Sequence, residues 1–473
     1  MINIITISYM KRIEKACFTN FRFYTWSRHV LKANWLCQFE EPLKQSNLSL
    51  KKGCLYMANT KNYQFGTKVI HSGQKTEDWN GASLPPIYQS AAHSHMTAQN
   101  LSDSFAGQTG DHIYMRLSNP TNNVLQDKIA DLEGGAAAIA VSSGMAAVSG
   151  ACMTLLRAGD ELVASRSLFV STYLLFTNIL PQYGISAHLT DMTDLAAVAE
   201  AITAKTRLLY FETIGNPAMD VPDIKALAEL AHSHGIPLVV DNTLASPYLC
   251  RPIEHGADIV FHSTTKYLSG HGNAIGGIVV DAGKFNWETE KFSDFSAFVE
   301  RKGVLAFTDR LWREHHIHFG TTMAPFHAWL TMIGLDTLEV RMARHMENAM
   351  AVAEFLAAHP KVSWVNYSGL ESNPCHETAK HIFGNKGFGG VLGFGLADQK
   401  ECFKMIDHLD LIYNLANLGD CKTLIIHPYS SQFISFTEEK KKELGITPDL
   451  LRLSVGIESS EDIIADLEQA LEI

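Results

Sequence analysis

The chain has 473 residues, 46% of them hydrophobic and 19% charged, the balance of a soluble globular protein with length for more than one domain. Its formal net charge of −11 gives no overall attraction to nucleic acid or to an anionic membrane. No apolar run approaches the roughly 18 residues of a membrane span, and eight scattered Cys without C-x-x-C spacing fit a reduced, cytoplasmic compartment better than a disulfide framework or a zinc site.

Residues 1–56 differ from the rest of the chain. Lys and Arg outnumber Asp and Glu there, three of the eight Cys lie there, and no apolar period is sustained. The first 39 residues carry one acidic side chain, Glu14, as a targeting peptide would. Yet the stretch is not Ser-rich, and it lacks the compact apolar core and small-residue cleavage site of a secretory signal. It is predicted to lie outside the fold, as a disordered segment or as sequence upstream of a start at Met57. A loop-rich arm occupies 57–110. Pro85-Pro86 enforces extension, and 97–112 is polar with no long period. Too thin to bury itself, this arm is expected to drape over another surface, such as a partner subunit.

Tyr114-Met115-Arg116 precedes Ser118-Asn119-Pro120-Thr121. Thr121 is predicted to cap a helix carrying Val124, Leu125, Ile129 and Leu132, and Gly134-Gly135 ends it. An Arg at this place is usually a solvated charge, unless an anion lies near. Ala136 to Val141 reads as a strand, broken by Ser142-Ser143-Gly144-Met145 before a small-residue helix over 146–156. A helix N-terminus after such a turn is an anion site in waiting, although many tight turns of this kind bind nothing.

Strands and helices then alternate for more than a hundred residues. Strands are predicted at 161–164, 186–189, 207–211, 236–240, 257–261 and 276–281. Helices are predicted at 171–180, 194–202 and 223–234. That alternation predicts an α/β fold with a mostly parallel sheet covered on both faces, and ligands bind beyond the carboxyl ends of such strands. Ser143-Gly144-Met145, Glu212, Asn216, Asp241 and Ser263-Thr264-Thr265-Lys266 all fall at those ends. A Lys and an Asp there are costly without partners. Pyridoxal phosphate (PLP) would supply both: an aldehyde for Lys266, a protonated ring nitrogen for Asp241, and a phosphate for the hydroxyls. A lone S-x-x-K is more commonly a core-edge Lys in a helix cap; the other polar clusters on the same predicted rim favour the cofactor.

Near Phe319 the pattern changes. One long helix is predicted over 325–355, then strands at 362–365, 389–395 and 450–455, and a last helix capped by Ser459. These make a smaller α+β domain over 320–473, after a cofactor-binding domain over 111–319. Glu314-His315-His316-Ile317-His318 lacks the convergent spacing of a zinc site, so no metal is predicted.

With these residues in place, the chain from about 62 to 473 resembles the Cys/Met-metabolism PLP enzymes of fold type I. The motifs are Asp241-Asn242-Thr243, Ser263-Thr264-Thr265-Lys266, Ser143-Gly144-Met145, Asn119-Pro120-Thr121, Glu212-Thr213-x-x-Asn216-Pro217 and Arg452-Leu453-Ser454-Val455-Gly456. The resemblance implies Lys266 as Schiff-base lysine and proton shuttle, and Asp241 on the pyridinium. It implies Gly144, Met145, Ser263 and Thr265 on the phosphate, with Tyr114 and Arg116 reaching it from a neighbouring subunit and Tyr114 counted among the catalytic residues. It further implies Phe169 stacked on the ring, Asn216 near the phenolic oxygen, and Arg452 clamping the substrate carboxylate beside Asn417. A homotetramer with shared active sites is implied as well.

Within the group the chain is most similar to O-acetylhomoserine sulfhydrylases, as in Gly270-His271-Gly272 and Ala416-Asn417-Leu418-Gly419-Asp420. This implies replacement of the acyl group of an O-acylhomoserine by sulfide or a small thiol. Phe169-Val170-Ser171-Thr172 departs from the group's Tyr-Gly-Gly-Thr: a hydroxyl is lost, as in O-succinylhomoserine sulfhydrylases, so the acyl group is left open. Cystathionine γ-synthase chemistry is a further alternative. A methionine γ-lyase has Cys where Ser171 stands. A third class, a PLP-fold scaffold without catalysis, is opposed by the intact Lys266, Asp241 and Arg452.

Overall fold

The structure is a computed structural model that describes residues 63–472. The extension predicted over 1–56 and the start at Met57 lie outside the described residues. Seven strands form the first sheet: β1 (Ala137–Val141), β2 (Glu161–Ser165), β3 (Ser186–Thr190), β4 (Thr206–Glu212), β5 (Leu238–Asp241), β6 (Ile259–Ser263) and β7 (Gly277–Asp281). Their order is β1-β7-β6-β5-β4-β2-β3. β7 runs antiparallel to both neighbours and the other pairings are parallel, so the sheet is mostly parallel as predicted.

The period-two alternation of side chains feeds two cores. Leu209, Phe211, Leu238, Val240 and Val260 pack on one face with the Pro120–Glu133, Ile224–Ser233 and Pro325–Leu335 helices. Leu208, Tyr210, Val239, Ile259 and Phe261 pack on the other with the Gly144–Leu155 helix. All seven β4 residues are buried, as a strand covered on both faces requires.

A second sheet joins β8 (Trp364–Asn366), β9 (Val391–Gly395), β10 (Tyr413–Asn414), β11 (Leu424–Ile426) and β12 (Leu450–Ser454) in the order β10-β11-β12-β9-β8. Leu392, Phe394, Leu451 and Leu453 meet Ile463 and Leu467 of the Ser460–Glu472 helix in a third core. The Leu338–Ala358 helix spans both systems: Leu338, Met342 and Met346 pack with the first sheet, and Ala349, Val352 and Leu356 with the second.

Three local expectations are corrected. The helix predicted over 325–355 is two helices, Pro325–Leu335 and Leu338–Ala358. At the break, the Gly334 carbonyl accepts from Arg341 Nη2 at 2.7 Å and Thr337 Oγ1 at 3.2 Å, side-chain bonds that compete with the helical ladder. Lys128 Nζ meets Asp336 Oδ1 at 2.7 Å in the same turn. The helix after Arg116 is capped by Asn119, whose Oδ1 accepts from the N–H groups of Thr121 and Asn122, with Pro120 at the first turn. Thr121 Oγ1 instead donates to Pro86 O at 2.8 Å and accepts from Tyr88 N at 2.9 Å, stitching the arm to the helix. The arm is also less loop-like than predicted. It holds helices Phe65–His71 and Ala98–Phe105, the latter capped by Thr97.

Candidate active site

The carboxyl ends of β1, β2, β4, β5 and β6 share one rim, and a cavity of about 370 Å³ opens there. After β1, Ser143 Oγ accepts from Ala146 N at 3.1 Å and caps the Gly144–Leu155 helix. Gly144 and Met145, in the first turn with no intrahelical partner for their N–H groups, stand on the cavity wall. A Cβ on Gly144 would fall 2.7 Å from Ser263 Cβ, so only glycine lets this helix end sit against the end of β6. Ser263 and Thr265 line the same corner.

Asp241 closes β5, and its Oδ1 accepts from Thr243 N at 2.9 Å. Burial raises its carboxyl above the usual range. Lys266 follows β6 and donates from Nζ to Asn417 Oδ1 at 2.6 Å. Burial, and then the nearby Arg452 charge, push the amine down to about 8. Arg452, in the middle of β12, reaches the cavity from the second sheet. Its Nη1 donates to Asn216 Oδ1 at 3.1 Å and Gln432 Oε1 at 3.4 Å, and its Nη2 to Asn417 O at 3.2 Å. All these partners are neutral, and Nε has none. Burial pulls the guanidinium down to about 10. A buried cation held only by neutral oxygens is poised for an anionic ligand.

Ten of the twelve predicted site residues line this one cavity: Gly144, Met145, Phe169, Asn216, Asp241, Ser263, Thr265, Lys266, Asn417 and Arg452. Tyr114 and Arg116 do not. Tyr114 is about half exposed. The Arg116 guanidinium lies 5.6 Å from its ring centroid and donates from Nη1 to Ile317 O at 2.5 Å. His262, next to Ser263, is fully buried and paired with Glu133 at 2.6 Å, a structural contact. His315 and His316 are buried too, and His316 is held down at about 4 chiefly by desolvation. Among the described residues no group of three or more His, Cys, Asp or Glu is placed to hold a metal ion.

Three further wall residues, Thr243, Gln432 and Glu212, had no role assigned from the sequence. Thr243 sits two residues after Asp241, and its Oγ1 accepts from Ser263 N at 2.9 Å, tying β5 to β6. That proximity was a readable signal. Gln432 comes from an irregular loop with no motif around it, and nothing in the sequence marks it. Glu212 was placed on the rim without a role.

The donor set fits PLP. There is a reactive amine of depressed basicity, a carboxylate at a neighbouring strand end, and a glycine-lined helix N-terminus with two hydroxyl residues beside it. A buried Arg with an unpartnered Nε adds a place for a carboxylate.

Comparison with known proteins agrees. The family described as Cys/Met metabolism PLP-dependent enzyme matches residues 66–472. An O-acetyl-L-homoserine sulfhydrylase from Leptospira meyeri is 41% identical over 429 residues, covering 87% of this chain and 97% of the relative. An L-methionine gamma-lyase from Fusobacterium nucleatum subsp. polymorphum is 40% identical over 415 residues, covering 87% and 99%. A crystal structure from Campylobacter jejuni, assigned as an O-acetylhomoserine (thiol)-lyase and holding a pyridoxyl-lysine monophosphate, superposes with a TM-score of 0.84 at 35% identity. It covers 87% of this chain and all of that one. A matching fold, the amine and carboxylate on one rim, and a family match over nearly all the described residues lead to one conclusion: the chain belongs to the Cys/Met metabolism PLP-dependent enzymes, of fold type I.

Proposed function

We propose that the chain catalyses γ-replacement on an O-acylhomoserine. Sulfide or a small thiol takes the place of the acyl group of O-acetyl-L-homoserine, giving homocysteine (or its thioether) and acetate, in methionine and cysteine biosynthesis. The observation that carries this reading is the Lys266 amine, depressed to about 8, facing the same cavity as Arg452 and Asp241. PLP, when bound, is an electron sink that makes the substrate Cα proton acidic enough for an amine base. Arg452 binds the substrate carboxylate, the planar two-point task its guanidinium suits. Lys266, as the neutral amine, takes the Cα proton, then one from Cβ, and later returns them. Asn417 Oδ1 holds that amine in place. When PLP is bound, Phe169 would stack on its ring, Asp241 would pair with the pyridinium, and Gly144, Met145, Ser263 and Thr265 would hold the phosphate.

The acetyl ester is preferred on charge. Lys266 and Arg452 are the cations on the cavity wall, and both are engaged in the chemistry. The second carboxylate of a succinyl ester would be buried without a partner. Acetate also departs as a stable anion and needs no acid from position 169, where Phe stands. A thiolate leaving from methionine is far more basic and benefits from one.

Tyr114 and Arg116 point to a shared site. They lie off the wall of their own chain's cavity, and we read them as phosphate ligands delivered to a neighbouring subunit, within a cytoplasmic homotetramer. Residues 57–110 are the arm, 111–319 the cofactor domain and 320–473 the smaller domain of that assembly.

A sulfide-dependent assay tests the reading. O-Acetyl-L-homoserine should be consumed only with sulfide or thiol present, faster than the succinyl ester. Release of ammonia and 2-oxobutanoate from methionine at a higher rate would replace it with the γ-lyase reading.

A further inference from the structure

Of the four ionisable residues on the cavity wall, Glu212 alone has no role in the proposed reaction. It closes β4 directly beside Asp241 on β5 and is 3% exposed. Burial first, and Asp241 second, push its carboxyl well above the usual range. A buried acid in such a place is costly unless its oxygens are satisfied. No Lys, Arg or His bonds to it among the described residues. Its partners are two backbone donors: Oε1 accepts from Phe169 N at 2.6 Å, and Oε2 from Asn216 N at 3.1 Å.

Those donors come from different loops. Phe169 follows β2 and opens the Val170–Leu174 helix, and Asn216 follows β4. Both side chains face the cavity. Asn216 Oδ1 in turn accepts from Arg452 Nη1 at 3.1 Å. One carboxyl group therefore spans the gap between two cavity walls and connects onward to the Arg.

We propose that Glu212 is a positioning residue. Its two oxygens clamp the loops after β2 and β4, fixing the slot between Phe169 and Asn216 that receives the cofactor ring, and through Asn216 the aim of Arg452. The proposal rests on the roles that the proposed function gives to those three residues. A carboxyl of this length sets two oxygens against two N–H groups, and both can accept whether or not the group is protonated. Gln offers one acceptor and would turn a donor toward the other N–H. Asp keeps both acceptors on a stem one methylene shorter.

The test compares the wild-type holoenzyme with Glu212→Gln and Glu212→Asp. The readouts are the PLP dissociation constant by titration of the stripped protein, the visible circular dichroism of the bound cofactor, and KM and kcat for the ester. With Glu212→Gln, PLP affinity should weaken roughly tenfold, the scale of one lost buried hydrogen bond. The visible dichroism should shrink as the ring loses its fixed tilt, and KM should rise as Arg452 loses its aim. Glu212→Asp should recover part of the affinity and of the dichroism. If Glu212→Gln does not fold, Glu212→Asp carries the test with the same readouts. Wild-type affinity, dichroism and KM in whichever variant folds would overturn the proposal, even with a lowered melting temperature, since a merely structural residue would move only the latter. The titration and dichroism need no substrate. Failure of the clamp is thus separable from failure of the sulfhydrylase reading, which would show as a wild-type enzyme inert toward sulfide.

Discussion

The roles proposed for Lys266, attack on the PLP aldehyde and proton abstraction, both need its amine neutral. With the amine at about 8, roughly one molecule in ten is neutral at pH 7, against fewer than one in a thousand for an ordinary Lys. The rate at which the stripped protein forms its imine with added PLP should therefore rise with pH and level off above about 8, which reconstitution followed by absorbance reads directly. Asn417 Oδ1 accepts from this amine and so favours its charged form. Asn417→Ala removes that acceptor: the alkaline plateau should be reached at lower pH, while kcat/KM falls roughly tenfold from loss of orientation. A profile that stays in place would mean that this contact does not touch the working amine. At this scale the sequence was most legible where chemistry leaves a cost: Asp241 closes one apolar run, Lys266 follows another after a short polar turn, and each required a partner. Gln432 and Glu212 gave no such sign of their roles, since a Gln in a loop and a Glu at a strand end are ordinary until the fold brings their partners near.

Among the elements, the meeting of the Gly144–Leu155 helix with the end of β6 forms the corner proposed to hold the phosphate. A Cβ at 144 would stand 2.7 Å from Ser263 Cβ, and strand and helix would have to move apart to admit it. Gly144→Ala should weaken PLP binding more than tenfold and cost roughly 1–3 kcal/mol of stability, as overpacking does. Fluorescence titration with PLP and thermal unfolding of the stripped protein measure the two effects. The strand-helix alternation was readable from period two against period 3.6, because buried parallel strands are short apolar runs between turns. The break at Asp336-Thr337 was not, because both halves keep the same apolar spacing and the interruption comes from Thr337 and Arg341 bonding to the Gly334 carbonyl. Pro120 hid the true cap in a similar way: Asn119 and Thr121 are both capping residues, and only contact with the arm shows that Thr121 is taken.

At the scale of the whole molecule, the active site is proposed to need two chains. Lys266→Ala and Arg116→Ala should each be nearly inactive alone. Refolded together, they should regain about a quarter of wild-type activity. Half of the randomly assorted dimers are mixed, and each mixed dimer holds one site with both residues intact. No recovery on mixing would place Arg116 in its own chain's site or outside catalysis. This sharing was suggested by motif resemblance alone, since nothing in the local pattern of Tyr114 or Arg116 says which subunit they serve. The three cores were legible as apolar faces. That one helix, Leu338–Ala358, serves two of them was not, because both halves carry apolar residues at helical spacing and the sequence does not say what each half meets.

Every role assigned to the cavity depends on Lys266 carrying the cofactor. Borohydride reduction of the holoenzyme, digestion and mass spectrometry of the peptides put that dependence to the test. A pyridoxyl group should be found on the peptide bearing Lys266 and should be absent from Lys266→Ala. A pyridoxyl group on another lysine, or the same labelling in Lys266→Ala, would refute the assignment.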